Sequence, residues 1–142
     1  MDIKWIITGA NGLIGGFLSE FFMYLNDEHD FNSKLVLTSL SDDPKRLGNL
    51  IYRKDVQYYS RDLTNDSWFF DEIDFCIYCA GYAQPNKFLS DAEKTYQLNV
   101  DAMVRTFQSV MFERKKSKML FISSSEVYAL NDITKPHCET DE

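Results

Sequence analysis

The sequence is poor in the features that mark several classes of protein. Only three cysteines occur in 142 residues, which is too few for the disulfide framework of a small secreted protein. Positive charge is not in excess, because the formal net charge is −7, and this argues against a nucleic-acid partner or a membrane surface. No signal peptide precedes the first apolar run, and no apolar run approaches the roughly 20 residues that span a bilayer. We therefore expect a cytoplasmic globular protein with a single domain.

Two of the cysteines form the pattern Cys76-Ile77-Tyr78-Cys79, and the third is Cys138. A Cys-x-x-Cys pair can bind zinc or carry out redox chemistry when further partners lie at matching spacing, and none is visible. The pair lies within an apolar run that predicts a buried strand, where cysteine behaves as a small hydrophobic residue. We interpret both cysteines as core residues and expect no metal site.

Short apolar runs alternate with amphipathic or polar segments, without internal repeats or linkers. The alternation is typical of a parallel sheet with helices on both faces, so the expected fold class is α/β, doubly wound, with about five strands. The predicted strands are Ile3–Thr8, Lys34–Leu40, Val56–Ser60, Asp74–Cys79 and Met119–Ser123, and the predicted helices are Gly12–Leu25, Asp42–Leu50, Asp66–Phe70 (one turn) and Ala92–Lys115.

The first predicted strand is followed by Thr8-Gly9-Ala10-Asn11-Gly12-Leu13-Ile14-Gly15. A glycine-rich turn between a strand and a helix is the layout that binds the pyrophosphate of a dinucleotide. Gly9 would allow the tight turn, Gly12 would let the main chain approach the phosphates, and Gly15 would let the helix pack on its strand. Free N–H groups and the dipole at the helix start would hold the anion. The alternative is a turn that binds no ligand.

The motif Thr-Gly-Ala-x-Gly-x-x-Gly resembles that of the extended short-chain dehydrogenases/reductases, the family of NAD-dependent epimerases and dehydratases that act on nucleotide sugars. The resemblance implies a Rossmann-like sheet with strand order 3-2-1-4-5, truncated before the later strands of the family. Residues 1–142 would form an incomplete NAD(P)-binding domain without the C-terminal substrate domain. The fifth strand would then be an unpaired edge, which favours self-association, so we expect a homodimer, or an aggregate, that forms through this edge or through the exposed crevice.

The end of the second strand decides between the two nicotinamide cofactors. An acid there accepts hydrogen bonds from the ribose 2′-OH of NAD, whereas an Arg accommodates the 2′-phosphate of NADP. Similar proteins often carry Asp where this chain has Thr38, and Thr38 or Ser39 could bind either form. Asp42 could replace the acid, and Lys45 or Arg46 could attract a phosphate; solvated loop residues are the alternative. We favour NAD from the resemblance alone, with NADP left open.

The resemblance assigns further cofactor contacts after the third and fourth strands. Asp62 of Asp62-Leu63 is expected to face the adenine amino group, and its alternative role is to cap a turn. Small residues after the fourth strand would run beneath the cofactor, and Asn99 would hold the main chain in place. The full expected cofactor set is Gly9, Asn11, Gly12, Leu13, Ile14, Gly15, Thr38, Asp62, Leu63, Cys79, Ala80, Gly81, Asn99 and Ser123.

The last predicted strand runs into Ser123-Ser124-Ser125-Glu126-Val127-Tyr128. The resemblance implies that the Ser124 hydroxyl binds O4 of the sugar and assists proton removal. Glu126 would act as a base or orient a proton donor, and its alternative role is to cap the next turn. This stretch is similar to one in UDP-glucuronate decarboxylases and GDP-mannose dehydratases. We therefore expect Ser124 and Glu126 to be the catalytic residues of this part of the chain.

The catalytic base of the family is a Tyr with a Lys four residues later, and the sequence contains no Tyr-x-x-x-Lys. We therefore expect no turnover from this chain alone, and interpret it as the N-terminal part of a nucleotide-sugar epimerase, dehydratase or decarboxylase. Two alternatives are a non-catalytic dinucleotide-binding module and a reductase of the same superfamily acting on a small carbonyl compound.

Overall fold

The computed structural model of the chain describes residues 2–65, 72–82, 90–113 and 117–124. Five strands form one parallel sheet with the order β3-β2-β1-β4-β5, which confirms the expected fold class and strand order. The strands are β1 (Ile3–Thr8), β2 (Ser33–Ser39), β3 (Val56–Ser60), β4 (Phe75–Tyr78) and β5 (Lys118–Phe121).

Strand β1 lies at the centre of the sheet, because it pairs with β2 on one side and β4 on the other. Ile6 and Ile7 are both fully buried, although neighbouring side chains of a strand point to opposite faces. Ile7 packs in the cluster that contains Phe22, and Ile6 packs in the cluster that contains Val110. Both faces of the sheet are therefore covered, as expected for a parallel sheet.

Helix α1 (Leu13–His29) covers one face and is longer than predicted. Asn26 lies beyond the predicted end and ties the helix to the start of β2, because its side-chain amide donates to the Ser33 carbonyl at 2.8 Å and its Oδ1 accepts from the Ser33 N–H at 2.7 Å. Only some of the side chains on the predicted apolar face of the helix are buried. Phe22 is buried and its ring centroid lies 4.5 Å from that of Trp5, whereas Phe17 is 62% exposed.

The predicted helix Ala92–Lys115 is divided into three parts, α2 (Ala92–Tyr96), a π-helical turn (Gln97–Asp101) and α3 (Ala102–Glu113). The buried Tyr78 hydroxyl donates to the Leu98 carbonyl at 2.7 Å within the π turn. A residue inserted into a helical ladder alters the direction of the carbonyls, and such turns are frequent at functional sites. The sequence periodicity could not predict the interruption, because its hydrogen-bond partner comes from β4.

The predicted helix Asp42–Leu50 is wrong. The Ser41 Oγ donates to the Asp43 carbonyl at 2.8 Å and accepts from the Asp43 N–H at 3.2 Å, which favours a turn over a helix. A 3₁₀ helix follows at Gly48–Tyr52. The predicted helical turn Asp66–Phe70 lies outside the described residues.

Within the described ranges, none of the helices combines the length and apolarity that crossing a bilayer would require. The same ranges contain no group of three or more His, Cys, Asp or Glu side chains placed to hold a metal ion. Cys76 is buried and Cys79 is partly buried. Burial raises the pKa of Cys76 to about 12 and that of Cys79 to about 11, so both thiols stay protonated at neutral pH.

Candidate functional site

A cleft of about 250 Å³ opens at the carboxyl ends of the first four strands. This edge of a parallel sheet, where the strand order reverses between β1 and β4, is where α/β proteins bind ligands. The lining residues are Gly9, Gly12, Ser39, Leu40, Arg61, Asp62, Leu63, Thr64, Cys79, Ala80, Gly81, Tyr82, Lys94 and Leu98. Seven of them belong to the cofactor set that the sequence predicts: Gly9, Gly12, Asp62, Leu63, Cys79, Ala80 and Gly81.

The glycine turn after β1 has no room for side chains. Gly9 has a φ of +65°, and a Cβ there would lie 2.8 Å from the Ala80 nitrogen and from the Cys79 carbonyl oxygen. A Cβ on Gly15 would lie 2.5 Å from the Gly9 carbonyl oxygen. Because these obstacles are main-chain atoms, the turn keeps its shape only with glycine at both positions.

Helix α1 begins at this turn without a side-chain cap. Its N-cap residue is Gly12, whose N–H donates to the Gly9 carbonyl at 2.9 Å. The first N–H groups of a helix have no acceptor within the helix, and here they belong to Leu13, Ile14 and Gly15. The first turn carries no acidic residue. Uncapped N–H groups beside a side-chain-free turn fit the pyrophosphate of a dinucleotide.

Asp62 lies in the cleft just after β3. Its Oδ1 accepts from the Thr64 N–H at 3.0 Å and the Thr64 hydroxyl at 2.7 Å, and its Oδ2 accepts from the Asn65 amide at 3.1 Å. These hydrogen bonds, with the Thr64 hydroxyl first among them, lower the pKa of Asp62, so it is a carboxylate at neutral pH. Asp62 therefore caps a turn and also faces the cleft, and the two roles proposed from the sequence are compatible.

At the end of β2, Ser39 lines the cleft, whereas Thr38 is the cofactor contact predicted from the sequence. Thr38 is fully buried, and its hydroxyl has no hydrogen-bond partner among the described residues. Ser39 lines the cleft instead, and its Oγ lies 2.6 Å from the Tyr58 hydroxyl. Neighbouring strand residues point to opposite faces, so a shift of one residue decides which side chain reaches the cleft. A contact between Thr38 and the cofactor stays a prediction.

The end of β4 is held close to the glycine turn. The Thr8 hydroxyl oxygen accepts from the Cys79 N–H at 3.1 Å and the Ala80 N–H at 3.3 Å. A Cβ on Gly81 would lie 3.2 Å from Oδ1 of Asn99, which places that side chain next to Gly81. The structure thus brings Asn99 and the β4 loop together, although Asn99 itself does not line the cleft.

Other predicted site residues lie away from the cleft. The Asn11 Oδ1 accepts from the Arg46 N–H at 3.1 Å and so ties the loop after β2 to the glycine turn. Ser123 and Ser124 follow β5, are exposed, and do not line the cleft. Glu126 lies outside the described residues. The two expected catalytic residues therefore stay predictions.

Several cleft residues were missed as site residues by the sequence analysis. They share a position shortly after a strand or near the helical segment that follows β4. They are Leu40, Arg61, Thr64, Tyr82, Lys94 and Leu98. For Leu40, Arg61, Thr64 and Tyr82 the available signal was a position just after a predicted strand, because the loops at this edge of the sheet border the cleft. Lys94 and Leu98 lie in the helical segment after β4, and proximity to a strand end did not mark them.

The model of the NAD dependent epimerase/dehydratase family matches residues 5–142 of this chain. Among proteins with curated descriptions, none matches it.

Solved structures share the fold at low sequence identity. A UDP-N-acetylglucosamine 4-epimerase from Methanobrevibacter ruminantium, in complex with UDP-N-acetylmuramic acid, is 22% identical with a TM-score of 0.79, over 99% of this chain and 43% of that one. The Helicobacter pylori ADP-L-glycero-D-manno-heptose-6-epimerase is 19% identical with a TM-score of 0.71, over 98% and 44%. The Bordetella bronchiseptica enzyme WbmF, in complex with NAD⁺, is 13% identical with a TM-score of 0.71, over 92% and 40%. The chain spans about two fifths of the length of these structures.

Proposed function

Because the chain belongs to the NAD-dependent epimerase/dehydratase family, we propose that it is the N-terminal, dinucleotide-binding part of a nucleotide-sugar epimerase or dehydratase. A bound nicotinamide dinucleotide would supply transient oxidation at C4 of the sugar, and the protein would supply binding and orientation. The observation that carries the proposal is the cleft, in which an uncapped glycine turn and the Asp62 carboxylate face the same space.

The residues of the cleft divide the work of binding. The N–H groups at the start of α1 would hold the pyrophosphate, because that end of the helix carries a partial positive charge. Asp62 would accept a hydrogen bond from the adenine amino group, which a carboxylate can do. The loop Cys79–Gly81 would lie beneath the nicotinamide half, since it lines the cleft and follows β4, which lies on the opposite side of β1 from β2 and β3.

The choice of a nucleotide sugar as substrate rests on similarity. One structural neighbour carries a UDP-sugar derivative and another carries NAD⁺, and these ligands belong to those proteins. The stretch from Ser123 to Tyr128 adds a likeness to UDP-glucuronate decarboxylases, so we propose a decarboxylase-like reaction as one form of the activity. In a longer chain that carries Tyr-x-x-x-Lys, Ser124→Ala should lower turnover with little change in cofactor affinity. Unchanged turnover would remove Ser124 from the catalytic role.

Isothermal titration of the 142-residue chain with NAD and NADP tests the binding part of the proposal. We expect binding of at least one of them, competed by ADP, because the pyrophosphate site is common to all three. The variant Asp62→Asn should weaken the binding of both cofactors, because Asp62 lines the cleft. Asp43→Asn is its matched control, because Asp43 is exposed and does not line the cleft. The absence of binding of either cofactor by a folded chain would refute the proposal.

A non-catalytic dinucleotide-binding module is the second candidate, favoured by the lack of Tyr-x-x-x-Lys in the sequence. The intact mass of the protein in its native source separates the two. A mass near 16.6 kDa would favour the module, and a much larger mass would favour the enzyme. For the larger protein, thermal shifts with UDP-sugars and with simple ketones would separate the epimerase reading from a reductase of small carbonyl compounds.

A further inference from the structure

We propose that the cleft binds NADP in preference to NAD, with Arg61 as the residue that binds the 2′-phosphate. The inference rests on the proposed function and names the cofactor that the same cleft accepts. It differs from the preference for NAD that the family resemblance suggests.

Among the described residues, the ends of β2 and β3 are the place for the adenosine half of the cofactor. The pyrophosphate belongs at the glycine turn after β1, and the β4 loop occupies one side of that turn. The other side is formed by the ends of β2 and β3, where Ser39, Leu40 and Arg61 line the cleft together with Asp62. Leu40 is 70% exposed and offers an apolar surface to a base.

The end of β2 offers no charged acceptor for a ribose 2′-OH. Thr38 is fully buried, and the Ser39 Oγ is hydrogen-bonded to the Tyr58 hydroxyl of β3. The Tyr58 hydroxyl donates to the Ser41 carbonyl, so the hydrogen between Tyr58 and Ser39 must come from the Ser39 hydroxyl. The Ser39 oxygen can therefore only accept further hydrogen bonds, and the acceptor that it offers to a ribose 2′-OH is uncharged, unlike the acid that typically binds NAD.

The acids of the loop after β2 do not replace the missing carboxylate. Neither Asp42 nor Asp43 lines the cleft. Asp43 lies 3.9 Å from the Lys45 ammonium, and both of these side chains are largely exposed. Asp62, the remaining carboxylate that lines the cleft, is already assigned to the adenine amino group rather than to the ribose.

Arg61 is the cation placed beside Ser39. The main-chain N–H of Arg61 donates to the Ser39 carbonyl at 2.8 Å. This contact is set by the strand register that pairs Ser39 with Ser60. In the part of the chain that the structure describes, no carboxylate forms an ion pair with Arg61, whereas Arg53 is paired with both Asp27 and Asp55. An exposed guanidinium without such a partner is available for a phosphate, which it can bind through two parallel hydrogen bonds.

A second cation raises the positive potential on the same side of the glycine turn. The Arg46 side chain lies against Gly16 near the start of α1, and its main chain is held there by Asn11. A cation beside the positive end of a helix is unfavourable, and no acid lies in the first turn to compensate. Additional negative charge on the ligand would be attracted by Arg61, which lines the cleft, and at longer range by Arg46, which does not. NADP carries this additional charge and NAD does not.

Paired titrations with NADP and NAD test the inference. We expect the 142-residue chain to bind NADP at least about tenfold more tightly, as one charge-assisted contact would provide. Arg61→Gln should remove most of that difference by weakening NADP while leaving NAD unchanged. Lys54→Gln is the matched control, because it removes the same charge from an exposed residue before β3, at the other end of that strand. Circular dichroism of each variant shows that the fold is kept.

The possible outcomes are distinguishable. Tighter NADP binding that depends on Arg61 and not on Lys54 supports the inference. Equal or tighter binding of NAD, or an Arg61→Gln variant that keeps the difference, overturns it and leaves the proposed function standing. Binding of neither cofactor by a folded chain overturns both. Comparing the thermal shifts caused by 2′,5′-ADP and by AMP tests the contact between Arg61 and the 2′-phosphate independently, because neither compound contains a nicotinamide.

Discussion

The glycine turn after β1 and the ends of β2 and β3 border the same cleft, but they are built from different parts of the chain. At the turn, main-chain atoms of Gly9 and Ala80 occupy the space that side chains would need. At the strand ends, Ser39, Arg61 and Asp62 contribute side chains that lie at or near the surface. The turn can bind only what all dinucleotides share, whereas the strand ends can discriminate among them. Substitutions at the turn should therefore cost structure, and substitutions at the strand ends should change selectivity.

The largest effect is expected from Gly9→Ala. The new Cβ would meet the main chain at 2.8 Å in a left-handed conformation, which should lower the free energy of unfolding by about 2–5 kcal/mol and abolish dinucleotide binding. Gly48→Ala is the matched control, since its φ is +50° but nothing lies within 4 Å of its Cβ, and it should cost about 1–2 kcal/mol. Urea unfolding and titration measure both. Equal losses in the two variants would mean that crowding at the turn is not what matters.

The next largest effect on stability is expected from Asp55, a carboxylate at the end of β3 that lies away from the cleft. Asp55 precedes β3 and accepts from Arg53 Nε at 2.9 Å and from the Asn26 amide at 3.1 Å. Asp55→Asn should lower the free energy of unfolding by about 1–3 kcal/mol, because it leaves these donors poorly matched, and should leave cofactor affinity unchanged. Titration and urea unfolding of the variant provide the check. A change in affinity would show that the two ends of β3 are coupled.

Asp55 also makes acid stability testable. The hydrogen bond from Arg53 lowers its pKa from 3.8 to about 2. A lowered pKa in the folded state means that the contribution is fully present above pH 3.8 and is lost as the pH falls towards 2. Unfolding free energies of the unaltered chain and Asp55→Asn should therefore converge across this window. Curves that stay parallel there would contradict the assignment.

In contrast to Asp55→Asn, the variant Asp62→Asn should change cofactor affinity more than it changes the free energy of unfolding. The hydrogen bonds from Thr64 and Asn65 are partly exposed, so the stability cost should be about 1 kcal/mol. Affinity for both NAD and NADP should fall by about tenfold, because the adenine contact is common to both. A titration that shows loss of only one cofactor would move Asp62 from adenine binding to the discrimination assigned to Arg61.

The smallest effect is expected from a substitution in the edge strand β5, which belongs neither to the glycine turn nor to the ends of β2 and β3. Strand β5 pairs only with β4 among the described residues, and Leu120 is 56% exposed. If the expected homodimer forms through this edge, Leu120→Lys should weaken self-association in light scattering. Tyr52→Lys is the control, because Tyr52 is 81% exposed and lies away from β5. An unaltered chain that stays monomeric at high concentration would contradict the expectation.

Local patterns predicted most of the sheet. The bounds of β3 are as predicted, and those of β2 and β4 differ by one residue at each end. Apolar runs of this length identify strands because both faces of a parallel sheet are buried. Predictions failed where a side chain from elsewhere intervened. Tyr78 hydrogen-bonds to the helical segment that the sequence would have continued unbroken, and the Ser41 hydroxyl forms a turn in place of a helix.

The strands of the sheet and the glycine turn were predicted from the residues, and the strand order was predicted from the family resemblance. The strands follow from short apolar runs that suit burial on both faces of a parallel sheet, and the glycine turn follows from a backbone geometry that favours glycine. The tertiary structure decided which side chains reach the cleft. Thr38 is fully buried and Ser39 is half-buried at the cleft, and the pairing of β2 with β3 places Arg61 beside Ser39 across a gap of more than twenty residues. Strand register sets both outcomes, because a shift of one residue moves every side chain to the opposite face.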